Sequence, residues 1–131
     1  MREGGCLCGE VRYTVEGEPR VVVHCHCRMC QKAAGAAFLT WATFPVSALR
    51  YTRGQPASYR SSVRALREFC GACGSQLVFR VEAEDGLDIT VASLDRPDDL
   101  TPAANIWTTS RRAFMHGFDA GLDDVEGDWP D

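Results

Sequence analysis

The fold is decided by two short stretches, GCLCG at residues 5–9 and FCGACG at residues 69–74. Each stretch places two cysteines close together in a turn, which is typical of a metal-binding site. Zinc holds its sulfur ligands about 3.8 Å apart, so the backbone has to bend at each pair. The freedom to bend comes from the neighbouring glycines, which are Gly9, Gly71 and Gly74. We predict one closed structural zinc site formed by Cys6, Cys8, Cys70 and Cys73.

A second cysteine cluster, HCHCRMC at residues 24–30, has three thiols and no adjacent glycine. The thiols belong to Cys25, Cys27 and Cys30. Three protein ligands plus a free position are typical of catalytic zinc. Three thiolates leave a zinc complex of net charge −1, which favours binding a further thiol over making hydroxide from water. His24 or His26 could close this site as a fourth ligand, and the sequence leaves that alternative open.

The seven cysteines could instead form a disulfide framework. Such a framework requires an oxidising compartment and usually a secretory signal. The N-terminus reaches Cys6 before any apolar segment, so we expect no signal peptide, and an odd number of thiols leaves one unpaired. The spacing therefore predicts metal ligation, with two zinc ions per chain, in a cytoplasmic protein.

Length and charge limit the number of domains and the kinds of partner that the protein can have. The length predicts one domain over residues 1–131, in which residues 119–131 form an acidic and loosely ordered tail with Trp129 able to dock on the body. With 14 basic and 18 acidic residues, the chain lacks the basic surface that nucleic acid requires. The uncharged run 33–49 is at the short limit for a membrane span and is diluted by polar residues, glycine and proline. We expect no nucleic-acid or membrane partner, and the oligomeric state stays open.

Short alternating segments indicate a mainly β fold. Apolar residues repeat every second position in the segments 11–15, 77–81 and 87–91. Residues 36–44 are predicted to form a buried strand that ends at Pro45. Residues 28–34 are predicted to form a short helix that ends at Gly35.

Several other side chains are candidates for substrate contact. Three arginines could meet carboxylates of an anionic thiol, although a solvated face is the default interpretation: Arg60, Arg64 and Arg67. Four aromatic residues could line a pocket, although ordinary core packing is the default for each: Phe38, Trp41, Trp107 and Phe114.

The cysteine motifs and their surroundings resemble the glutathione-dependent formaldehyde-activating enzyme family. The resemblance is carried by GCLCGEVRY at 5–13, HCHCRMCQK at 24–32 and FCGACGS at 69–75, and it continues through Ile106-Trp107, Ser110-Arg111 and Gly121-Leu122. It implies several small antiparallel sheets organised around zinc, with structural zinc on the four-cysteine set and catalytic zinc on the three-cysteine set. It also implies a carbon–sulfur lyase reaction that joins glutathione to formaldehyde as S-hydroxymethylglutathione.

Two functional hypotheses follow. The first is a zinc enzyme that acts on an adduct of a glutathione-like thiol and an aldehyde. The alternative is a non-catalytic protein-interaction module with two structural zinc sites. An exchangeable ligand at the three-cysteine site separates them, because the module requires full coordination by protein groups.

Overall fold

The computed structural model describes residues 1–118 and 121–129. The positions outside the described residues are Asp119, Ala120, Pro130 and Asp131, all within the predicted acidic tail. Within the described residues the chain forms eleven strands, one α-helix and five short 3-10 helices. The strands are β1 (Arg2–Gly5), β2 (Arg12–Val15), β3 (Val21–Cys25), β4 (Leu39–Pro45), β5 (Leu49–Arg53), β6 (Ala57–Arg60), β7 (Ala65–Phe69), β8 (Gln76–Val81), β9 (Gly86–Thr90), β10 (Ala104–Ile106) and β11 (Asp123–Asp124). The helix is α1 (Arg28–Ala34), and the 3-10 helices are Val46–Ala48, Val91–Ser93, Pro97–Asp99, Thr108–Ser110 and Ala113–Met115.

The strands form two sheets. The smaller has the strand order β1-β2-β5, and the larger has the order β11-β10-β3-β4-β9-β8-β7-β6. Pairing is antiparallel except at β10, which runs parallel to both β3 and β11. The prediction of a mainly β fold with a short helix after the second cysteine cluster is confirmed. The parallel pairing of β10 adds a feature that the alternation of the sequence did not indicate.

Helix α1 spans the residues that the sequence predicted. Cys27 is its N-cap, with an extended backbone, and its Sγ accepts a hydrogen bond from the Cys30 amide at 3.3 Å. Gly35 ends the helix in a left-handed conformation (φ 63°), which glycine adopts without strain, and its amide donates to the Gln31 carbonyl. The helix therefore holds Cys30 one turn away from Cys27, on the same side. No helix in the described part of the chain is long and apolar enough to cross a membrane.

The larger sheet separates two groups of buried side chains, because alternate residues of a strand point to opposite faces. One face packs against the smaller sheet, and the core between them contains Phe44 and Ile89 of the larger sheet and Tyr13 of the smaller one, each with no exposed area. The Tyr13 hydroxyl shares a hydrogen bond of 2.7 Å with Ser93, so its polar end is satisfied inside this core. Burial of each large apolar side chain contributes roughly 2–3 kcal/mol to the free energy of unfolding.

The opposite face of the larger sheet carries a second apolar cluster. On β3, Val22 points to the first core, whereas Val23 and Cys25 point to this second cluster. Trp41 of β4 belongs to the same cluster, and Trp129 packs against it. The three-cysteine motif therefore lies on the face that the smaller sheet does not cover.

Part of the acidic tail pairs with the larger sheet. Strand β11 pairs with β10 through Asp123 and Asp124. The Asp124 carboxylate forms an ion pair with Arg111 at 2.7 Å, and Val125 packs against the second apolar cluster. The described part of the tail thus borders the cluster that contains Cys25 and Cys30.

Candidate metal centres

The four-cysteine set is assembled in space as its spacing indicates. The sulfur atoms of its members all lie within 4.8 Å of one another: Cys6, Cys8, Cys70 and Cys73. The Cys6 and Cys8 sulfurs are 3.6 Å apart, and the Cys8 and Cys70 sulfurs are 3.8 Å apart. Four sulfurs around tetrahedral zinc stand about 3.8 Å apart, so this donor set fits a closed zinc site.

Glycine makes the bends at two of the three predicted positions. Gly9 and Gly74 have left-handed backbones, with φ of 81° and 79°, whereas Gly71 does not. The Gly9 amide donates to the Cys6 carbonyl at 3.2 Å, and the Gly74 amide donates to the Cys70 carbonyl at 2.8 Å. In each turn the glycine amide thus hydrogen-bonds to the carbonyl of the first cysteine. The bent backbone directs the two sulfurs of the pair to the same side.

Ser75 connects the two cysteine turns, a role that the sequence analysis missed. Its hydroxyl lies 3.2 Å from the Cys73 sulfur and accepts a hydrogen bond from the Leu7 amide at 3.0 Å. The hydrogen bond from Ser75, followed by backbone amide hydrogen bonds, lowers the pKa of Cys73 to about 5. A lowered thiol pKa favours the thiolate form that binds metal. The signal in the sequence was the position of Ser75 directly after the CGACG motif, which places its hydroxyl near the cysteine turn.

The four-cysteine set is part of the main core. Cys6 and Cys70 are buried, with 8% and 1% of their area exposed, and both belong to the first apolar cluster. Cys8 is exposed at the protein surface. The set therefore lies at the edge of the core and links β7 to the N-terminal turn, which suits a structural site.

The three-cysteine set is the second candidate centre. The sulfurs of Cys25, Cys27 and Cys30 lie within 4.8 Å of one another. Cys25 ends β3, Cys27 caps α1 and Cys30 lies in its first turn. Cys25 and Cys30 are 5% and 4% exposed. Hydrogen bonds from Cys25 and Cys30 hold the pKa of the Cys27 thiol far below its usual range.

The two histidines that could have closed the second site make other contacts. His24 Nδ1 lies 2.8 Å from the Thr40 hydroxyl. His26 has no exposed area, and its Nε2 lies 2.9 Å from Asn105 Oδ1. Among the described residues, the group of candidate ligands contains the three cysteines and no histidine. The geometry accordingly favours a site with three protein ligands.

Arg67 differs from the solvated arginine that the sequence analysis took as the default. Arg60 and Arg64 are exposed, and Arg60 pairs with Glu82, whereas Arg67 is only 5% exposed. Its Nη1 and Nη2 lie 3.8 and 3.7 Å from the Cys30 sulfur. The signal in the sequence was alternation along β7, because Arg67 shares a strand face with the buried Ala65.

The aromatic candidates divide between core and surface. Trp41 is 4% exposed and contacts Phe79 at a ring separation of 6.2 Å. Core packing is wrong for Trp107 and Phe114, which are 42% and 77% exposed in the region of short 3-10 helices after β10; Phe114 lines a cavity beside α1, the alternative left open by the sequence. Phe38 packs its ring against His24, at 4.7 Å between centroids.

The model of one protein family matches residues 1–110, which include all seven cysteines and both candidate centres. The chain belongs to the glutathione-dependent formaldehyde-activating enzyme family. A crystal structure of a Rhodobacter sphaeroides protein is also similar, with a TM-score of 0.63 and 22% sequence identity over 94% of this chain and 98% of that chain. At that identity the likeness concerns the fold.

The cavities that border the elements carrying the three cysteines in this family member include a larger and a smaller one. The larger has a volume of about 860 Å³ and is lined by Phe79, Asp88 and Trp129 among others. The smaller, of about 330 Å³, lies beside α1. Its cationic lining residues are Arg28, Lys32 and Arg112. No cysteine lines either cavity; Arg28, which lines the smaller one, directly follows Cys27 in the chain.

Asp88 in the larger cavity gives a pH-dependent prediction. Burial raises its pKa to about 6, against the opposing effect of a 2.5 Å hydrogen bond from the Thr43 hydroxyl. The pKa of Asp88 in the folded protein exceeds its unfolded value of 3.8. The contribution of protonated Asp88 to the free energy of unfolding is therefore fully present below about pH 4 and is lost as pH rises through about 6. Relative to the parent protein, the free energy of unfolding of D88N should rise by about 2 kcal/mol between pH 4.5 and 7, as measured by urea unfolding at each pH.

The matched control is Asp85, which is exposed and forms an ion pair with Arg20 at 3.0 Å. The hydrogen bond from Arg20 lowers the pKa of Asp85, so D85N should show no gain relative to the parent protein with rising pH. Parallel pH profiles for D88N and the parent protein would contradict the assignment of Asp88.

Proposed function

We propose that the protein is a zinc-dependent, carbon–sulfur lyase-type enzyme that joins a glutathione-like thiol to formaldehyde. The observation that supports it is a cluster of three cysteine sulfurs, with no fourth protein ligand among the described residues, in a chain of this family. The proposed structural zinc ligands are Cys6, Cys8, Cys70 and Cys73. Zinc held by Cys25, Cys27 and Cys30 would supply an open coordination position that favours a thiolate.

The proposed reaction balances without an oxidant or a leaving group. The thiol sulfur forms a bond to the formaldehyde carbon, and the thiol proton ends on the carbonyl oxygen. The task of the protein is to hold the thiol as its anion and to bring the carbonyl carbon within about 3–3.5 Å of the sulfur. Cys25 and Cys30 are buried with Trp41 in one apolar cluster, which keeps water from the inner side of the site.

The smaller cavity supports an anionic thiol as the substrate. At about 330 Å³ it lies in the size range of small-molecule sites. None of the ion pairs formed among residues 1–118 and 121–129 involves its three cations, Arg28, Lys32 and Arg112. Two of them hold neutral partners, Gln31 Oε1 for Arg28 at 2.7 Å and the Ser110 carbonyl for Arg112 at 3.0 Å, and a carboxylate of a peptide-like thiol would supply the missing counter-charge.

The free thiols also bear on where the reaction takes place. All seven cysteines are free and none forms a disulfide. Thiolate clusters and a thiol substrate both persist in a reducing compartment. We place the proposed reaction in the cytoplasm.

Exchange NMR of formaldehyde with its glutathione adduct tests the proposed function. The zinc-loaded protein should accelerate exchange by at least about 100-fold over the uncatalysed rate, which is the scale of acid–base and metal assistance. The protein freed of metal is the control and should give the uncatalysed rate. An uncatalysed rate at full zinc loading, with glutathione and with simple thiols alike, would refute the proposal.

Lys32 tests the anionic part of the substrate. It is exposed on α1 and lines the smaller cavity. K32Q should raise the KM for glutathione about 10-fold, the scale of one charge-assisted contact, and leave the KM for 2-mercaptoethanol unchanged. R50Q removes one charge from β5, outside this cavity, and should change neither value. Equal KM changes for the two thiols would contradict a carboxylate contact at Lys32.

A further inference from the structure

Arg67 is a buried cation with an unusual counter-charge. It is 5% exposed, and none of the ion pairs that the structure describes includes it. The one carboxylate of β7, that of Glu68, points to the other face of the strand, where it pairs with Arg80 at 2.8 Å. A buried charge is costly unless it is paired, so the counter-charge of Arg67 has to come from the three-cysteine cluster, whose Cys30 sulfur it contacts at 3.7 Å.

The guanidinium is held from two sides. Both of its terminal nitrogens approach the Cys30 sulfur, at 3.8 and 3.7 Å. Its central carbon lies 5.0 Å from the centroid of the Phe79 ring, within the range of a cation–π contact. Phe79 in turn contacts Trp41 at 6.2 Å. Arg67 is therefore held by contacts with protein side chains alone, and its charge is directed at the three-cysteine cluster.

We propose that Arg67 is a positioning residue that compensates the negative charge of the three-cysteine site, so that the site can bind a divalent metal together with a fourth, anionic ligand. Three thiolates and one divalent ion carry a net charge of −1, which Arg67 brings to zero. A thiolate entering as fourth ligand then brings the site to −1, whereas it would bring it to −2 without Arg67. This inference rests on the proposed function, because it concerns the same site.

Metal affinity tests the proposal without any assay of catalysis. Cobalt(II) is titrated in competition with a chelator: the first equivalent fills the four-cysteine site and restores the fold, and the absorption band of the second equivalent reports on the three-cysteine site. R67M keeps the side-chain volume and removes the side-chain charge. It should lower the affinity for the second equivalent of cobalt about 10–100-fold and leave the affinity for the first unchanged. R64Q, an exposed arginine near the start of the same strand, is the control and should match the parent protein.

The affinity of the cobalt-loaded protein for 2-mercaptoethanol is the second readout. R67M should bind this thiol about 10-fold or more weakly, and R67K, which restores the charge without the planar fork, should recover part of the loss. Affinities of R67M within twofold of the parent protein, for both cobalt and thiol, would overturn the proposal.

Two milder variants keep the proposal testable where R67M does not fold, which circular dichroism reports. R67K and F79L each keep a positive charge at residue 67 and disturb how it is held. Each should weaken the second cobalt equivalent about 3–10-fold, and unchanged affinity in both would overturn the proposal. If these variants change the cobalt and thiol affinities but the zinc-loaded parent protein does not catalyse formaldehyde exchange, the role of Arg67 stands and the proposed function is refuted.

Discussion

Replacing Cys70 with serine is expected to abolish the cooperative unfolding transition of the protein. Cys70 is 1% exposed in the main core, and its sulfur contacts that of Cys8, 62 residues earlier in the chain. A structural zinc contributes about 10–16 kcal/mol in small zinc-binding peptides, which exceeds or equals the whole free energy of unfolding of most domains, about 5–15 kcal/mol. Circular dichroism during thermal unfolding, with measurement of bound zinc, checks the result.

The same mechanism predicts that chelators reproduce the effect of C70S in the parent protein. Excess chelator should remove both metal equivalents and the cooperative transition together. A cooperative thermal transition of C70S within a few degrees of that of the parent protein would show that the four-cysteine site does not stabilise the fold.

Replacing Cys30 with serine is expected to abolish catalysis and retain the fold. Cys30 supplies one of only three sulfurs of its cluster and is the contact atom of Arg67. Loss of a metal ligand removes several kcal/mol of transition-state stabilisation, so exchange of formaldehyde should slow at least about 1000-fold. The free energy of unfolding should fall by about 1–3 kcal/mol, because Arg67 keeps only a weaker partner.

C30S and C70S form a matched pair, since both remove one buried sulfur by the same chemical change. C30S should retain one equivalent of zinc and a cooperative transition, whereas C70S should retain neither. Full exchange activity in C30S would refute the catalytic assignment of the three-cysteine set. Unfolding of C30S to the same extent as C70S would assign both centres to structure.

The cysteine partition was predictable because ligand spacing is a local property of the chain. Pairs separated by one or two residues can share a metal only in a bent turn, and the structure places Cys6 and Cys8 as that requirement demands. The bounds of α1 were equally local, set by the Cys27 cap and by the left-handed Gly35. Three of the eleven described strands, β2, β8 and β9, followed from alternation with period two.

Features that depend on distant parts of the chain were not predictable. The parallel pairing of β10 with β3 joins Asn105 to His24, and no local pattern encodes that register. The contact of Arg67 with the Cys30 sulfur, 37 residues earlier, is of this kind; alternation along β7 indicated the buried face, but no local pattern indicated the partner. Core packing was the default interpretation of Trp107 and Phe114 beside a pocket role, and the region of short 3-10 helices after β10 leaves both exposed.

The proposed enzyme requires an exchangeable fourth position at the three-cysteine site. The most direct test is the visible spectrum of the cobalt-substituted protein during titration with glutathione and then with a simple thiol. We expect the ligand-field bands to shift and to saturate at about one equivalent of bound thiol. An unchanged spectrum from two fully coordinated metals would contradict the proposal and favour a protein-interaction module with two structural zinc sites.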